Sequence, residues 1–170
     1  ITLNFLRWAL AFALLLPVAA WVLRRGSPLW PRMRRYALLG LLGVGCYNAL
    51  QYLALKSSTP INVTLVASSM PAFMLGLGAL AFGQTITRRQ VAGAALSIAG
   101  VLTVLCRGEV AQLAQVRFVP GDLYILLATG AWAWYSWLLA RPEDPPEIRS
   151  DWAAFLMAQL VPGLAWSALF

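Results

Sequence analysis

Residues 61–82 read INVTLVASSMPAFMLGLGALAF, a run of 22 residues without Asp, Glu, Lys, Arg or His. A helix needs about 20 apolar residues to cross the roughly 30 Å hydrocarbon core of a bilayer. The run is continuous and does not alternate between apolar and polar residues, which excludes the strands of a membrane β-barrel. This stretch therefore predicts a transmembrane helix.

Five further apolar windows lie on either side of this run and are separated by short segments rich in Pro, Arg and Ser. They are residues 1–23, 36–55, 91–106, 123–140 and 152–170. Arg7 is the only charged residue in the six windows. The sequence thus predicts an all-α, polytopic transmembrane helical bundle with six membrane helices present. We also expect the chain to be a fragment, since it lacks an initiator Met and stops inside an apolar run.

The composition excludes an ordinary soluble domain. Hydrophobic residues make up 61% of the chain and charged residues 11%, against about 45–50% and 25% in soluble proteins. The net charge of +7 does not indicate nucleic-acid binding, because the basic residues lie between apolar runs and not on an amphipathic face. The partner predicted by this pattern is the lipid bilayer.

The distribution of arginines predicts the topology of the helices. Loops 24–35, 83–90 and 141–151 would lie on one side of the membrane and carry more basic residues than the other side. Lys and Arg are enriched in cytoplasmic loops, so we place these three loops in the cytoplasm. The arginines that decide the topology are Arg24, Arg25, Arg32, Arg34, Arg35, Arg88 and Arg89. Arg7 counts for the opposite side, near the entrance of the first helix.

Small residues recur at four-residue spacing in the third and fourth windows, which favours close packing of helix backbones in lipid. The predicted packing positions are Ser68, Ala72, Gly76, Gly93, Ser97 and Gly100. Pro71 lies within the third window, where a proline leaves a backbone carbonyl without its usual donor and permits a bend.

Polar and aromatic side chains inside the windows are candidates for the wall of a substrate pathway. They are Asn48, Tyr52, Asn62, Ser69, Trp132 and Tyr135. Polar residues in membrane helices mark such pathways, and they also form hydrogen bonds between helices without touching any substrate. The sequence leaves both interpretations open for each residue.

The windows contain no Asp, Glu, Lys or His, and no catalytic, metal-binding or cofactor-binding constellation assembles along the chain. The two cysteines, Cys46 and Cys106, lie in apolar surroundings and favour neither a disulfide framework nor a metal site. We therefore predict no enzymatic activity and no cofactor. The expected site binds its substrate through neutral hydrogen-bonding groups and aromatic faces, without proton coupling through this half.

The order of several motifs resembles one transporter family. LRWALAFALLLP (6–17) is followed by GLLGVGCYNALQYLALKSSTP (40–60), and then by Ser69-Met70-Pro71. QVAGAALSIAGVLTV (90–104) and GDLYILLATGAWAWYSWLLAR (121–141) complete the series. Together they resemble the EamA-like branch of the drug/metabolite transporter superfamily. Gln84 departs from this pattern, since the family usually has Glu there.

The resemblance implies ten helices in two five-helix repeats of inverted orientation, a plan shared by many secondary carriers. By that template, residues 1–106 are the first repeat without its first helix. Residues 107–122 are an extracytoplasmic connection, and residues 123–170 are the start of the second repeat. The implied localisation is the cell inner (plasma) membrane.

The function that follows is a secondary transporter or exporter of small metabolites, amino acids or drugs, working by alternating access. A non-transporting membrane scaffold or sensor remains an alternative and requires that the polar residues face only other helices. A membrane enzyme is a second alternative and requires catalytic residues in helices outside this chain. The oligomeric state is open.

Overall fold

The computed structural model describes residues 2–105 and 119–169. Every regular element in these ranges is a helix. The α-helices are α1 (Thr2–Ala19), α2 (Met33–Gly40), α3 (Tyr47–Ser57), α4 (Pro60–Ala67), α5 (Met70–Phe82), α6 (Arg88–Leu105), α7 (Pro120–Ala140), α8 (Pro146–Arg149) and α9 (Trp152–Leu169). The all-helical prediction is confirmed for the described part of the chain.

Four helical segments of the described residues are long and apolar enough to cross a membrane: Thr2–Leu23, Trp30–Ser57, Pro60–Phe82 and Pro120–Ala140. A shorter apolar helix follows at Trp152–Ala168. The window predicted at 91–106 falls largely on α6, which is not among the four. The count of six membrane helices and the ten-helix inverted repeat therefore stay predictions.

Three of these segments are interrupted along their length. A 3₁₀ turn, Ala20–Leu23, follows α1, which contains Pro17. A π-helix, Leu41–Cys46, joins α2 to α3. Between α4 and α5 the helix breaks at Ser68 and Ser69, directly before Pro71. π segments and helix breaks are frequent at functional sites. The π-helix at Leu41–Cys46 is therefore of most interest.

The chain divides into two compact units. Unit 1 comprises residues 1–49 and 138–170, and unit 2 comprises residues 50–137. These units do not coincide with the predicted repeats, whose bounds stay a prediction. Most of the predicted connection at 107–122 lies outside the described residues.

In unit 1, α9 packs against α1, α2 and the π-helix. The backbones of α2 and α9 touch: a Cβ added at Gly40 would lie 2.6 Å from the carbonyl oxygen of Gln159 and 2.7 Å from the amide nitrogen of Gly163. Glycine is required at such a close approach. The largest fully buried apolar side chains of the unit are Val22, Leu29, Tyr36, Leu39, Ile148, Met157 and Leu160, and four of them, Tyr36, Leu39, Met157 and Leu160, lie on α2 and α9.

In unit 2, the first turn of α7 packs on the last turn of α3. A Cβ added at Gly121 would lie 2.6 Å from the carbonyl oxygen of Ala54. Asp122, which is 1% exposed, accepts hydrogen bonds from the Ser58 hydroxyl at 2.6 Å and the Val119 amide at 2.9 Å. The carboxylate therefore caps α7 and ties it to the end of α3.

The predicted packing positions are placed differently. In the described part of the chain, no heavy atom outside the local helix backbone lies within 4 Å of the position that a Cβ would take at Gly76, Gly93 or Gly100. Ala72 and Ser97 are exposed, and the Ser68 hydroxyl donates to the carbonyl of Leu65 in the preceding turn of its own helix. The close contacts of the described residues fall on other glycines, so the role predicted for these six positions stays a prediction.

Candidate functional site

A charged and a polar side chain meet between the first two apolar segments of unit 1. An Nη of Arg7 on α1 donates to the Oδ1 of Asn48 on α3 at 2.7 Å. The amide nitrogen of Asn48 donates in turn to the carbonyl of Gly43 at 3.3 Å, which lies in the π-helix. Both functions of the Asn48 amide are thus used, and Asn48 holds the guanidinium against the interrupted helix.

A second polar side chain lies one helical turn before Arg7. Asn4 is 1% exposed, and its Nδ2 donates to the carbonyl of Val44 at 3.2 Å and to the Ser167 hydroxyl at 3.0 Å. A carbonyl only accepts, so it fixes the orientation of the Asn4 amide. The Oδ1 of Asn4 and the Nε1 of Trp8 are buried and have no hydrogen-bond partner among the described residues.

The depth of this site follows from helix geometry. Arg7 precedes Arg24 by 17 residues, and Asn48 follows Arg35 by 13 residues. At 1.5 Å per residue these separations are about 25 Å and 20 Å. In a hydrocarbon core of roughly 30 Å, the Arg7–Asn48 contact lies in the half of the membrane remote from the arginine cluster.

The opposite end of unit 1 is joined by an ion-pair network around Arg35. Its Nε and an Nη bind the two oxygens of Asp144 at 2.8 and 2.9 Å, and its other Nη binds Glu143 at 2.9 Å. It also donates to the carbonyls of Leu138 and Arg141. The Asp144 side chain is fully buried. The network brings loops 24–35 and 141–151 to the same end, as predicted; their cytoplasmic location stays a prediction.

The other arginines predicted to set the topology have exposed side chains at the ends of helices. They are Arg24, Arg25, Arg32, Arg34, Arg88 and Arg89. Exposure agrees with basic groups that reach the membrane surface. Arg35 differs from them because its charge is compensated within the unit.

The remaining predicted pathway residues lie in unit 2 and are all half-buried: Tyr52, Asn62, Ser69, Trp132 and Tyr135. The rings of Trp132 and Tyr135 approach each other, with centroids 5.2 Å apart. The Ser69 hydroxyl, in the break between α4 and α5, donates to the carbonyl of Val66 in the last turn of α4, a local bond to the backbone that is common for serine. Whether any of them contacts substrate stays a prediction.

The neutral character of the site stays a prediction. The structure adds one charged neighbour, because Asn48 accepts a hydrogen bond from the guanidinium of Arg7, a residue that the sequence places near the helix entrance. The spacing of Asn4, Arg7 and Trp8 in the sequence could have indicated a shared polar site, because residues three and four apart share a helix face. Ser167 had no comparable signal, since its role depends on a contact 163 residues away in the sequence.

With the geometry established, comparison with known proteins decides the family. Residues 1–106 match the EamA-like transporter family. The chain belongs to this family. The matched region contains Arg7, Asn48 and the π-helix, whereas α9 lies beyond it. An EamA-like protein with four helices apolar enough to span a bilayer is a multi-pass membrane protein.

Two relatives carry transporter names. The chain is 30% identical over 106 residues to the uncharacterized transporter YyaM of Bacillus subtilis (strain 168), which covers 62% of this chain and 35% of that protein. It is 29% identical over 134 residues to an uncharacterized transporter of Archaeoglobus fulgidus, covering 79% of this chain and 45% of that protein. The chain thus spans less than half the length of either relative. No solved structure matches the chain.

Proposed function

We propose that this EamA-like protein is a secondary carrier of small molecules that works by alternating access across the cell inner membrane. The observation that carries the proposal is the hydrogen-bonded Arg7–Asn48 pair, set against a π-helix inside an otherwise apolar segment. Interrupted helices with polar side chains at membrane depth are the places where carriers bind substrate. The family and the transporter names of its relatives support the same function.

Asn48 is the wall residue of the pathway, and Tyr52 follows it by one turn on α3. Asn62, Ser69, Trp132 and Tyr135 extend the pathway in this proposal. The inverted-repeat plan of ten helices supplies the second half of the carrier, and the loops with exposed arginines face the cytoplasm. Helix breaks at 41–46 and at 68–69 supply hinges for opening the pathway to either side.

The test is flux through purified protein in sealed vesicles. The probes are radiolabelled amino acids, short carboxylic acids and the cation ethidium, each measured with and without a pH gradient. We expect saturable uptake of at least one probe. Asn48→Ala should lower this flux per folded molecule, because it releases the guanidinium of Arg7 into the pathway.

Thr103→Ala is the matched control. Among the described residues its hydroxyl donates only to the carbonyl of Ala99 in its own helix, so its loss should leave flux unchanged. Wild-type flux in Asn48→Ala would remove Asn48 from the pathway. No saturable flux of any probe would contradict the carrier itself.

A further inference from the structure

We propose that the molecule carried has an oxyanion, a carboxylate or a phosphate, and that Arg7 binds it. This inference rests on the proposed carrier function and names its substrate class. It begins from the contrast between two arginines of unit 1, Arg7 and Arg35.

Arg35 is a structural arginine. Its guanidinium binds two carboxylates and two backbone carbonyls, so its charge is compensated within the unit. Arg7 has no carboxylate within ion-pair distance among the described residues; its contacts there are the amide oxygen of Asn48 and the face of the Trp8 ring, 5.2 Å from the guanidinium carbon. A cation in an apolar helix is costly unless an anion compensates it.

Asn48 leaves the guanidinium available. It accepts one hydrogen bond from one Nη, and the other N–H groups of Arg7 have no acceptor among the residues that the structure describes. A guanidinium presents its donors in a planar fork that matches the two oxygens of a carboxylate or phosphate. A cationic substrate would be repelled at this point, and a neutral one would leave the charge uncompensated.

The anion has two potential sources, a small solute and the phosphate of a lipid headgroup. The surroundings of Arg7 favour the solute. Arg7 itself is exposed, but its neighbours on the same helix face, Asn4 and Trp8, direct polar atoms into the interior of the unit. There the Oδ1 of Asn4 and the Nε1 of Trp8 are buried and have no hydrogen-bond partner among the described residues. A site for lipid headgroups would instead direct its polar atoms toward the membrane surface.

The decisive variant is Asn48→Asp. The carboxylate introduced by this change has nearly the same shape as the amide, and one of its oxygens would take the place of the Asn48 Oδ1, 2.7 Å from an Nη of Arg7. It therefore compensates Arg7 internally and keeps the contact between α1 and α3. Asp cannot donate to the carbonyl of Gly43 as the Asn48 amide does, and we expect the new ion pair to offset this loss and keep the melting temperature close to that of the wild type. Binding and flux of acids should be at least about tenfold weaker, the scale of a lost hydrogen bond between charged groups.

The experiment compares each carboxylic acid of the panel with its own amide, by ligand-induced change in melting temperature of the purified protein and by vesicle flux. Acids should protect the wild type and amides should not. Arg7→Gln should lose this protection, and Arg7→Lys should retain part of it because the charge remains. Should Arg7→Gln fail to fold, Asn48→Asp still tests the proposal.

The outcomes separate the two proposals. If the protein carries a neutral or cationic probe and Asn48→Asp does not reduce that flux, the proposal of an oxyanion substrate is wrong, whereas the proposed carrier function is retained. Protection by acids without any flux would confirm the site and contradict the carrier. Protection that comes only from added phosphatidylglycerol would identify a lipid phosphate as the anion and overturn the small-molecule assignment.

Discussion

Replacing Gly40 by Ala tests the contact between α2 and α9 directly. The added Cβ would meet backbone atoms, the carbonyl oxygen of Gln159 at 2.6 Å and the amide nitrogen of Gly163 at 2.7 Å. Ordinary contacts of a Cβ begin at 3.4 Å, and backbone atoms cannot rotate away. The helices must therefore separate along the contact, which breaks the close packing on both sides of it.

The expected cost of this single methyl group is about 1–3 kcal/mol, the range for inserting atoms into a packed core. In a protein of this size, each kcal/mol lowers the melting temperature by about 2–4 °C. The melting curve of the protein in detergent, followed by size-exclusion fluorescence, measures the shift. Gly93→Ala is the control, because no described residue outside the local helix backbone has an atom within 4 Å of its Cβ position. Equal melting of Gly40→Ala and wild type would refute a backbone contact.

Three further predictions concern the ends of the helices. Arg35→Ala should destabilise unit 1 by up to about 3–5 kcal/mol, because it removes the nearest cation from the buried carboxylate of Asp144 and leaves only Arg149 at 3.5 Å among the described residues. Arg34→Ala should melt like wild type. Asp122→Asn should lower the free energy of unfolding by about 1–3 kcal/mol, because one acceptor oxygen becomes a donor. Adding Ser58→Ala to this variant should lower it little further, and fully additive effects of the two changes would contradict the hydrogen bond between Ser58 and Asp122. Arg25→Cys, exposed in the structure, should react with an impermeant maleimide only from the cytoplasmic side, and labelling from outside would reverse the topology.

The helical class and the membrane setting followed from the sequence because they depend on composition over 20-residue windows. Residues 61–82 needed no information from elsewhere in the chain to be recognised. Helix breaks were partly visible, since Pro71 indicates one. The π-helix at Leu41–Cys46 was not visible, because the glycines there also suit an unbroken helix in lipid.

Contacts between distant segments could not be read from spacing. Gly93 and Gly40 look equivalent in the sequence, each a glycine in an apolar run. Only Gly40 has a partner backbone against it in the described residues, because α9 reaches it from 119 residues further along, at Gln159. For the same reason the hydrogen bond between Asn48 and Arg7 could not be predicted from the sequence.

The Arg35 network has a consequence for synthesis. Its guanidinium and Asp144 are 109 residues apart, and at about 5–20 residues per second the ribosome takes roughly 5–20 s to make the intervening chain. During that interval the arginine has been translated without its acidic partners. Unit 1 can close only after residues 138–167 have been made, although its first helices are translated early. Whatever assists insertion of this protein must therefore tolerate a half-built unit with an uncompensated charge at its arginine-rich end.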